Sequence, residues 1–437
     1  MKRSKKIREN QIFTVCDDAI IGTTNETEIE KADFFELDKN AKSLGKRIIT
    51  PTISGKSKED ENITKRQKIL KRIFTALFIT FVLGVLVFTF YNDFIAPSEN
   101  REPLLWADLM KIFSLGWIYL LLAFIAIFLC YFFKALKLSV LCKSLTNKWH
   151  FKTCFETAII GHYYNFVTPL AVGGQPFEIY HLSKHGVHGG VAASLPIATY
   201  ALNQFAFVVL SIVFLVLFKD NVLAVNGALL GAYPIAFNFL AIAGASVCAI
   251  MPLLIIIFSL MPKFGSKLVN FVMWIGAKLK IVKNPQETTA KTIKNLVQNS
   301  QCIKKLGQKP FPSFIAFVLS FLEHLSSASI AYFSLKVFGF PTYTQTVPVL
   351  LEWLQVVQFV LIISCAVSFI PTPGNTGAAD LSFFMLFTAG LASGLAFPAM
   401  VTWRVLSYYS FILIGFVFAT VRKRIDRKNE SKIITEE

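Results

Sequence analysis

Apolar runs of about 20 residues, separated by shorter polar segments, dominate the sequence from residue 73 onward. A helix of that length crosses the roughly 30 Å hydrocarbon core of a bilayer. Only 16% of the residues are charged, against about 25% in a typical soluble domain. The pattern therefore predicts an all-α, polytopic helical integral membrane protein. The predicted spans cover residues 73–91, 112–133, 191–218, 232–260, 314–335 and 398–421.

The basic residues predict the orientation of the chain. The net charge is +17, and the lysines form blocks between the apolar runs at 65–72, 134–152, 263–309 and 422–428. Such blocks are typical of cytoplasmic loops, where they also attract anionic lipid. We therefore expect a cell-membrane protein with both termini in the cytoplasm, anionic lipid at its lysine-rich loops and no direct contact with nucleic acid.

The same patterning divides the chain into three parts. Residues 1–68 are polar and lack periodic apolar positions, which predicts a largely disordered cytosolic tail. Residues 69–421 form the predicted transmembrane domain, within which 262–310 is a basic, amphipathic cytoplasmic loop. Residues 422–437 form a basic cytosolic tail.

Two stretches interrupt the apolar pattern where a membrane helix is expected. In each, a proline precedes an acid by nine positions: Pro169 precedes Glu178, and Pro371 precedes Asp380. Proline and glycine end helices, and such breaks are tolerated at membrane depth only where they are buried in protein or line a wet cavity. We predict two broken or re-entrant hairpins. The alternative is a pair of polar loops at the membrane surface.

The two breaks also predict an internal repeat. Residues 153–168 are too few to cross the bilayer before Pro169, whereas 349–396 leaves open a re-entrant segment or two full spans. The order of span, hairpin and span recurs after about 200 residues with reversed orientation. Inverted repeats with interrupted segments at matching positions point to a transporter's substrate site.

Ionisable residues in apolar segments are candidates for function, because burying a charge in the bilayer is costly. We predict that Glu178 and Asp380 receive a cationic head group and that Arg404 receives a phosphate, to which its fork geometry is suited. An internal ion pair of Arg404 with Asp380 or Glu352 is the alternative. The predicted substrate-binding residues are Gly173, Gly174, Gln175, Glu178, Pro371, Gly374, Asn375, Asp380 and Arg404.

A second group of residues has titratable side chains inside spans. Glu323, His324 and Glu352 are candidates for ion or proton coupling, with helix packing as the alternative. Glu156 is expected to pair with Lys152 at the interface. Glycines interrupt the helix that carries the neighbouring histidines 181, 185 and 188, so no metal site is predicted. Soluble-enzyme motifs are absent from the sequence, and we expect no catalytic residues and no cofactor.

The first break carries a recognisable motif. Gly173-Gly-Gln-Pro-Phe-Glu178, followed by Ile-Tyr-His-Leu and Lys184-His-Gly186, resembles the signature of the lysylphosphatidylglycerol synthase transmembrane, or flippase-like, family. The second break, Pro371–Asp380, resembles that family's second signature less closely, since Asn375, Ala379 and Asp380 depart from it. The resemblance extends over roughly 70–421.

This resemblance implies lipid translocation. In bifunctional members a soluble lysyltransferase domain follows the membrane region, but only 16 residues follow Val421, so we expect no such domain. We therefore expect a lipid translocase for an aminoacylated phospholipid such as lysylphosphatidylglycerol, or a related lipid-linked head group.

Three alternatives stay open. The first is a membrane component of lysylphosphatidylglycerol synthesis that acts with a separate catalytic domain. The second is an ion-coupled transporter of a small solute, and the third is a scaffold for a neighbouring transferase. The expected partners are membrane phospholipid as substrate and either a second copy of the chain or a separate lipid-modifying enzyme.

Overall fold

In a computed structural model, the described residues are 106–168, 173–187, 190–217, 300–341 and 348–436, without 369, 371 and 393, together with isolated helical positions at 80, 87 and between 244 and 289. The predicted tail 1–68, Pro371 and nearly all of the predicted segments 73–91, 232–260 and 262–299 lie outside the described residues.

The described part of the chain is helical throughout, with no strand in it. Five of its helices are long and apolar enough to cross a membrane, which confirms the predicted class of a polytopic helical membrane protein. The helices are α1 (Trp106–Thr146), α2 (Phe151–Val167), α3 (Gly174–Lys184), α4 (Gly190–Leu217), α5 (Pro310–Val337), α6 (Val349–Val367), α7 (Ala378–Phe387), α8 (Ala396–Arg404) and α9 (Ser410–Glu436).

Helix α1 is longer than its apolar run predicts. The predicted span ends at residue 133, but α1 continues for 41 residues to Thr146, a length of roughly 60 Å. The prediction that Lys134 and Lys137 lie in a cytoplasmic loop was therefore wrong. Helix α1 runs antiparallel to α5, and three contacts mark the register: Gly116 with Val337, Cys130 with Glu323 and Ser144 with Lys309.

Helices α2 and α3 form the first broken hairpin. They contain 17 and 11 residues, so neither crosses a 30 Å hydrocarbon core. At the tip, the backbone N–H of Gly174 donates to Asn165 Oδ1 at 2.8 Å, and Tyr164 stacks on Phe177. The predicted half-length hairpin is confirmed.

The second broken hairpin is asymmetric. Helix α6 has 19 residues and is long enough to cross, whereas the returning helix α7 has only 10. Between them a 3-10 turn, Pro373–Asn375, reverses the chain with Gly374 at φ +60° and Gly377 at φ +90°. Of the two alternatives that the sequence left open, two full spans is excluded, because α7 is too short.

The last predicted span, 398–421, is part of a longer helical rod. Helix α8 continues through a π-helical turn, Val405–Tyr409, into α9. The helix extends to Glu436, so the predicted C-terminal tail is a continuation of α9. Both α1–α4 and α5–α9 begin with a long helix, pass through a broken hairpin and end with a long helix, but the inverted repeat itself stays a prediction.

Helix α9 packs closely on the first hairpin at Gly415. A Cβ atom at Gly415 would overlap the Cβ of Tyr163 in α2. We expect Gly415→Ala to lower the free energy of unfolding by about 1–3 kcal/mol, because the added methyl group overpacks this crossing. The thermal midpoint of the purified protein in one detergent measures the effect.

Gly307→Ala is the matched control. Gly307 faces open space, and alanine favours helix over glycine by about 1 kcal/mol, so this change should not lower the midpoint. Equal loss of stability in both variants would contradict the close crossing of α2 and α9.

Candidate functional site

Two buried carboxylates meet two buried lysines inside the helix bundle. We call Lys134, Lys137, Glu178 and Glu323 the central charge cluster. Glu323 lies close to the middle of the candidate span α5, and the lysines come from α1 one helical turn apart. The cluster therefore lies far from both ends of the long helix that carries Glu323.

Lys137 is at the centre of this cluster and is only 1% exposed. Its Nζ lies 2.7 Å from Glu323 Oε2, 2.6 Å from Asn203 Oδ1 and 3.2 Å from Ser320 Oγ. An ammonium group has three donors, so each of its hydrogens has an acceptor. Lys137 thereby ties α1 to both α4 and α5.

Lys134 pairs with the predicted site residue Glu178. The Nζ–Oε1 distance is 2.8 Å, and the two side chains are 11% and 4% exposed. Gly161 in α2 makes room for this pair, because a Cβ atom there would overlap Glu178 Oε1 and would lie 2.8 Å from Lys134 Nζ. The first hairpin is thus attached to α1 through its own carboxylate.

Glu323 and His324, two of the candidates for ion or proton coupling, have separate partners. His324 Nε2 lies 3.0 Å from the backbone oxygen of Asn203. The second carboxylate oxygen of Glu323 faces His162 of the first hairpin, at an Nε2–Oε1 distance of 3.9 Å. Glu352 is held elsewhere, 2.6 Å from Lys336 Nζ near the end of α5. Ion or proton coupling by Glu323, His324 and Glu352 stays a prediction.

A second centre lies at the second break. Arg404 Nε donates to Asp380 Oδ1, and Arg404 Nη1 donates to the backbone oxygen of Gly374 at 3.3 Å. The other oxygen of Asp380 accepts from the backbone N–H of Gly377 at 2.7 Å. This arrangement, which we call the arginine centre, confirms the internal ion pair of Arg404 with Asp380.

One nitrogen of the arginine centre, Nη2 of Arg404, has no hydrogen-bond acceptor among the described residues. Arg404 is 8% exposed, and its Nη2 is buried. The guanidinium carbon lies 4.7 Å from the ring centroid of Trp403 and 5.8 Å from that of Tyr408. The aromatic faces stabilise the cation, but they do not accept hydrogen bonds from Nη2, whose N–H groups can still bind an acceptor.

Tyr408 connects the two breaks. Its hydroxyl donates to the backbone oxygen of Phe166 at 3.2 Å, near the tip of the first hairpin. Its ring packs on Gly374, where a Cβ atom would overlap it. The structure therefore brings the two turns together through Tyr408, while Glu178 and Asp380 each keep a separate cation.

The remaining predicted site residues shape the turns. Gly173 N–H donates to Thr168 Oγ1 at 3.0 Å, beside the Gly174 contact described above. Asn375 adopts a left-handed backbone with φ +52°. Gln175 is partly buried at the start of α3, and Pro371 lies outside the described residues.

Glu156 has partners other than the predicted Lys152. Its two oxygens lie 3.3 Å from His181 Nε2 and 3.1 Å from Arg422 Nη1. These contacts join both arms of the first hairpin to α9. In the described part of the chain, no group of three or more metal-ligating residues is found.

Sequence reasoning missed Lys134 and Lys137 as parts of a site, although His162 was recognised as a titratable neighbour of the candidate residues. Their signal was present, because two lysines three positions apart lie on one helix face and a glutamate inside a span requires a compensating charge. The apolar run ended at residue 133, and the basic block after it was interpreted as a loop.

Together the described helices and buried ion pairs define a polytopic membrane protein with polar groups inside its helix bundle. The family model described as "Lysylphosphatidylglycerol synthase TM region" matches residues 104–415. The chain therefore belongs to this family, as its motifs indicated, although the match begins later than the expected residue 70.

A relative supports the same family. A "UPF0104 membrane protein" of Archaeoglobus fulgidus is 22% identical over 343 residues, which cover 77% of this chain and 95% of the relative. No solved structure matches the chain.

The pairing of Lys137 with Glu323 can be tested through stability. Lys137→Met leaves Glu323 buried without its cation, and removal of one partner of a buried pair costs about 3–5 kcal/mol. Lys137→Met combined with Glu323→Gln removes both charges and should recover much of the loss. Thermal midpoints in one detergent measure both variants. A double variant as unstable as Lys137→Met would contradict the pairing.

Proposed function

We propose that the protein is a lipid translocase that moves an aminoacylated phospholipid, such as lysylphosphatidylglycerol, or a related lipid-linked head group between leaflets. Family membership supports a membrane protein of the lysylphosphatidylglycerol synthase type. The proposal includes a cell-membrane location with both termini in the cytoplasm, as the basic blocks predict.

The observation that carries the proposal is the unpartnered Nη2 of Arg404. A buried donor without an acceptor is unfavourable, and a guanidinium presents paired N–H groups that suit a phosphate. The phosphodiester of a lipid would supply the missing acceptor. Its binding need not break the ion pair with Asp380, which uses Nε.

The cationic end of the head group has a separate candidate. The candidate is Glu178. Because Glu178 is already paired with Lys134, the substrate would not meet a free carboxylate there. An ammonium group of the lipid would instead take the place of Lys134 beside Glu178. Such an exchange keeps the carboxylate paired, which avoids the penalty of an isolated charge at this depth.

The two turns would let the head group pass between these centres. Tyr408 touches the first hairpin and the second turn, so a shift of either hairpin would alter the contact between them. The lipid tails would stay in the bilayer while the head group passes through the polar interior. In transporters, broken helices at matching positions of the two repeats form the substrate site.

A second candidate function is a membrane component of lysylphosphatidylglycerol synthesis. The name of the family favours it, since it refers to a synthase. It would require a separate catalytic domain to transfer the amino acid. Leaflet-resolved lipid analysis separates the two functions: translocation changes the distribution of a lipid, whereas synthesis changes its amount.

Reconstitution of the purified protein tests the proposal. We expect the wild-type protein to increase the movement of lysylphosphatidylglycerol between leaflets of proteoliposomes. Glu178→Gln should slow it at least about tenfold, because a charge-assisted contact of 1.5–3 kcal/mol is lost. Arg404→Lys should slow it similarly, because lysine keeps the charge but lacks the second guanidinium nitrogen. Leaflet content is measured by chemical labelling of exposed amines.

Lys309→Gln is the control, because it removes a charge at the exposed start of α5, where Nζ donates to the backbone oxygen of Ser144. It should retain wild-type movement. Wild-type protein that moves no lipid, despite correct folding, would contradict the proposed function. Movement unchanged in both site variants would remove Glu178 and Arg404 from the path.

A further inference from the structure

His162 is a titratable side chain inside the bundle that the proposed lipid contacts do not use. It belongs to α2 of the first hairpin, and its side chain is 17% exposed. Its Nε2 is buried without a hydrogen-bond partner among the described residues. Glu323 Oε1 of α5 lies 3.9 Å from this nitrogen.

Charged groups of two helices act on His162. Helix α1 contributes Lys134 and Lys137, and α5 contributes Glu323. Lys134 in turn pairs with Glu178 of α3. These two lysines and two carboxylates balance formally, so a proton on His162 would add one positive charge to a neutral cluster.

Aromatic groups complete the surroundings of the imidazole. The ring of Tyr131 meets it edge-on at a centroid distance of 5.3 Å, and Phe411 and Phe166 lie at 5.4 and 6.2 Å. The Tyr131 hydroxyl is also buried without a hydrogen-bond partner among the described residues. Aromatic rings therefore surround much of the imidazole of His162, and the carboxylate of Glu323 lies on one side of it.

We propose that His162 is a proton-binding group that couples the position of the first hairpin to pH. A proton from the aqueous phase would bind to Nε2 of His162 when the hairpin loosens and the imidazole is hydrated, and it would be lost when the hairpin packs again. This inference rests on the proposed function for its purpose, since a hairpin that moves with a proton would drive or gate the passage of the head group.

The surroundings of the imidazole set the direction of the response. At 3.9 Å, His162 Nε2 and Glu323 Oε1 are too far apart for a hydrogen bond, so the packed hairpin offers the proton no bonded partner. Burial lowers the pKa of His162 in this packed position. A conformation that binds the proton more tightly is favoured as the pH falls, so low pH releases the hairpin from α5 and high pH keeps it packed.

The lysines and Glu323 act in opposite directions on this proton. Lys134 and Lys137 repel it and Glu323 attracts it, but Lys134 has the larger effect. Glu323 is also bound to Lys137 at 2.7 Å through its other oxygen, so its charge is already compensated. A proton on His162 is therefore unfavourable while α2 is packed, and it becomes favourable once the imidazole is hydrated.

Hydrogen–deuterium exchange of the full chain in lipid nanodiscs tests the inference without any transport measurement. Exchange of α2 peptides is compared between pH 8 and pH 5.5 after correction for the intrinsic pH dependence. We expect wild-type α2 to exchange about tenfold faster at the lower pH, because at pH 5.5 a hydrated imidazole with a pKa of about 6.5 gains a proton that the packed one does not. His162→Phe keeps the ring packing and should abolish this difference.

His150→Gln is the matched control, because His150 lies just before α2, at the opposite end from the tip. It should keep the wild-type pH response. His162→Gln should also lack the response, and it remains informative if His162→Phe does not fold.

A wild-type protein without a pH response in α2, or a response retained in the His162 variants, would overturn the proposed proton site. The proposed function has a separate outcome. If the wild-type protein shows the pH response but moves no lipid in proteoliposomes, the translocase proposal fails while the proton site stands.

Discussion

Charge neutrality inside a helical membrane bundle is the constraint on which the rest of this structure depends. An isolated charge at bilayer depth is costly, and so is a buried ion that has lost its partner. Carboxylates from both halves of the described chain accordingly have basic partners within ion-pair distance. These pairs are Glu156 with Arg422, Glu178 with Lys134, Glu323 with Lys137, Glu352 with Lys336 and Asp380 with Arg404.

These pairs determine which elements touch. Lys134 and Lys137 attach the first hairpin and α5 to one face of α1, and Arg404 attaches the rod of α8 and α9 to the second turn. The first hairpin and the returning arm of the second, α7, are too short to span the bilayer. Their positions therefore depend on apolar packing and on polar contacts, and an ionic ligand or a proton can exchange the polar contacts. This links the fold to the proposed movement of a charged head group.

Three glycines allow the close contacts between the hairpins and their neighbouring elements. At Gly161, Gly374 and Gly415 a side chain would overlap a carboxylate, an aromatic ring or a neighbouring helix. Each glycine lies where a hairpin meets another element. Small residues allow membrane helices to approach closely, and here the approach brings the charged groups within bonding distance of one another.

The sequence by itself determined the helical membrane class, the half-length first hairpin and the burial of Glu178, Asp380 and Arg404, because apolar run length and helix-breaking residues are local properties. It also supplied the motif of the family. Only the tertiary structure decided that Lys134 and Lys137 lie inside the bundle and that His162, rather than His324, faces the free oxygen of Glu323. A lysine after an apolar run is compatible with a loop or with a buried pair, and the outcome depends on a carboxylate that is distant in the chain and close in space.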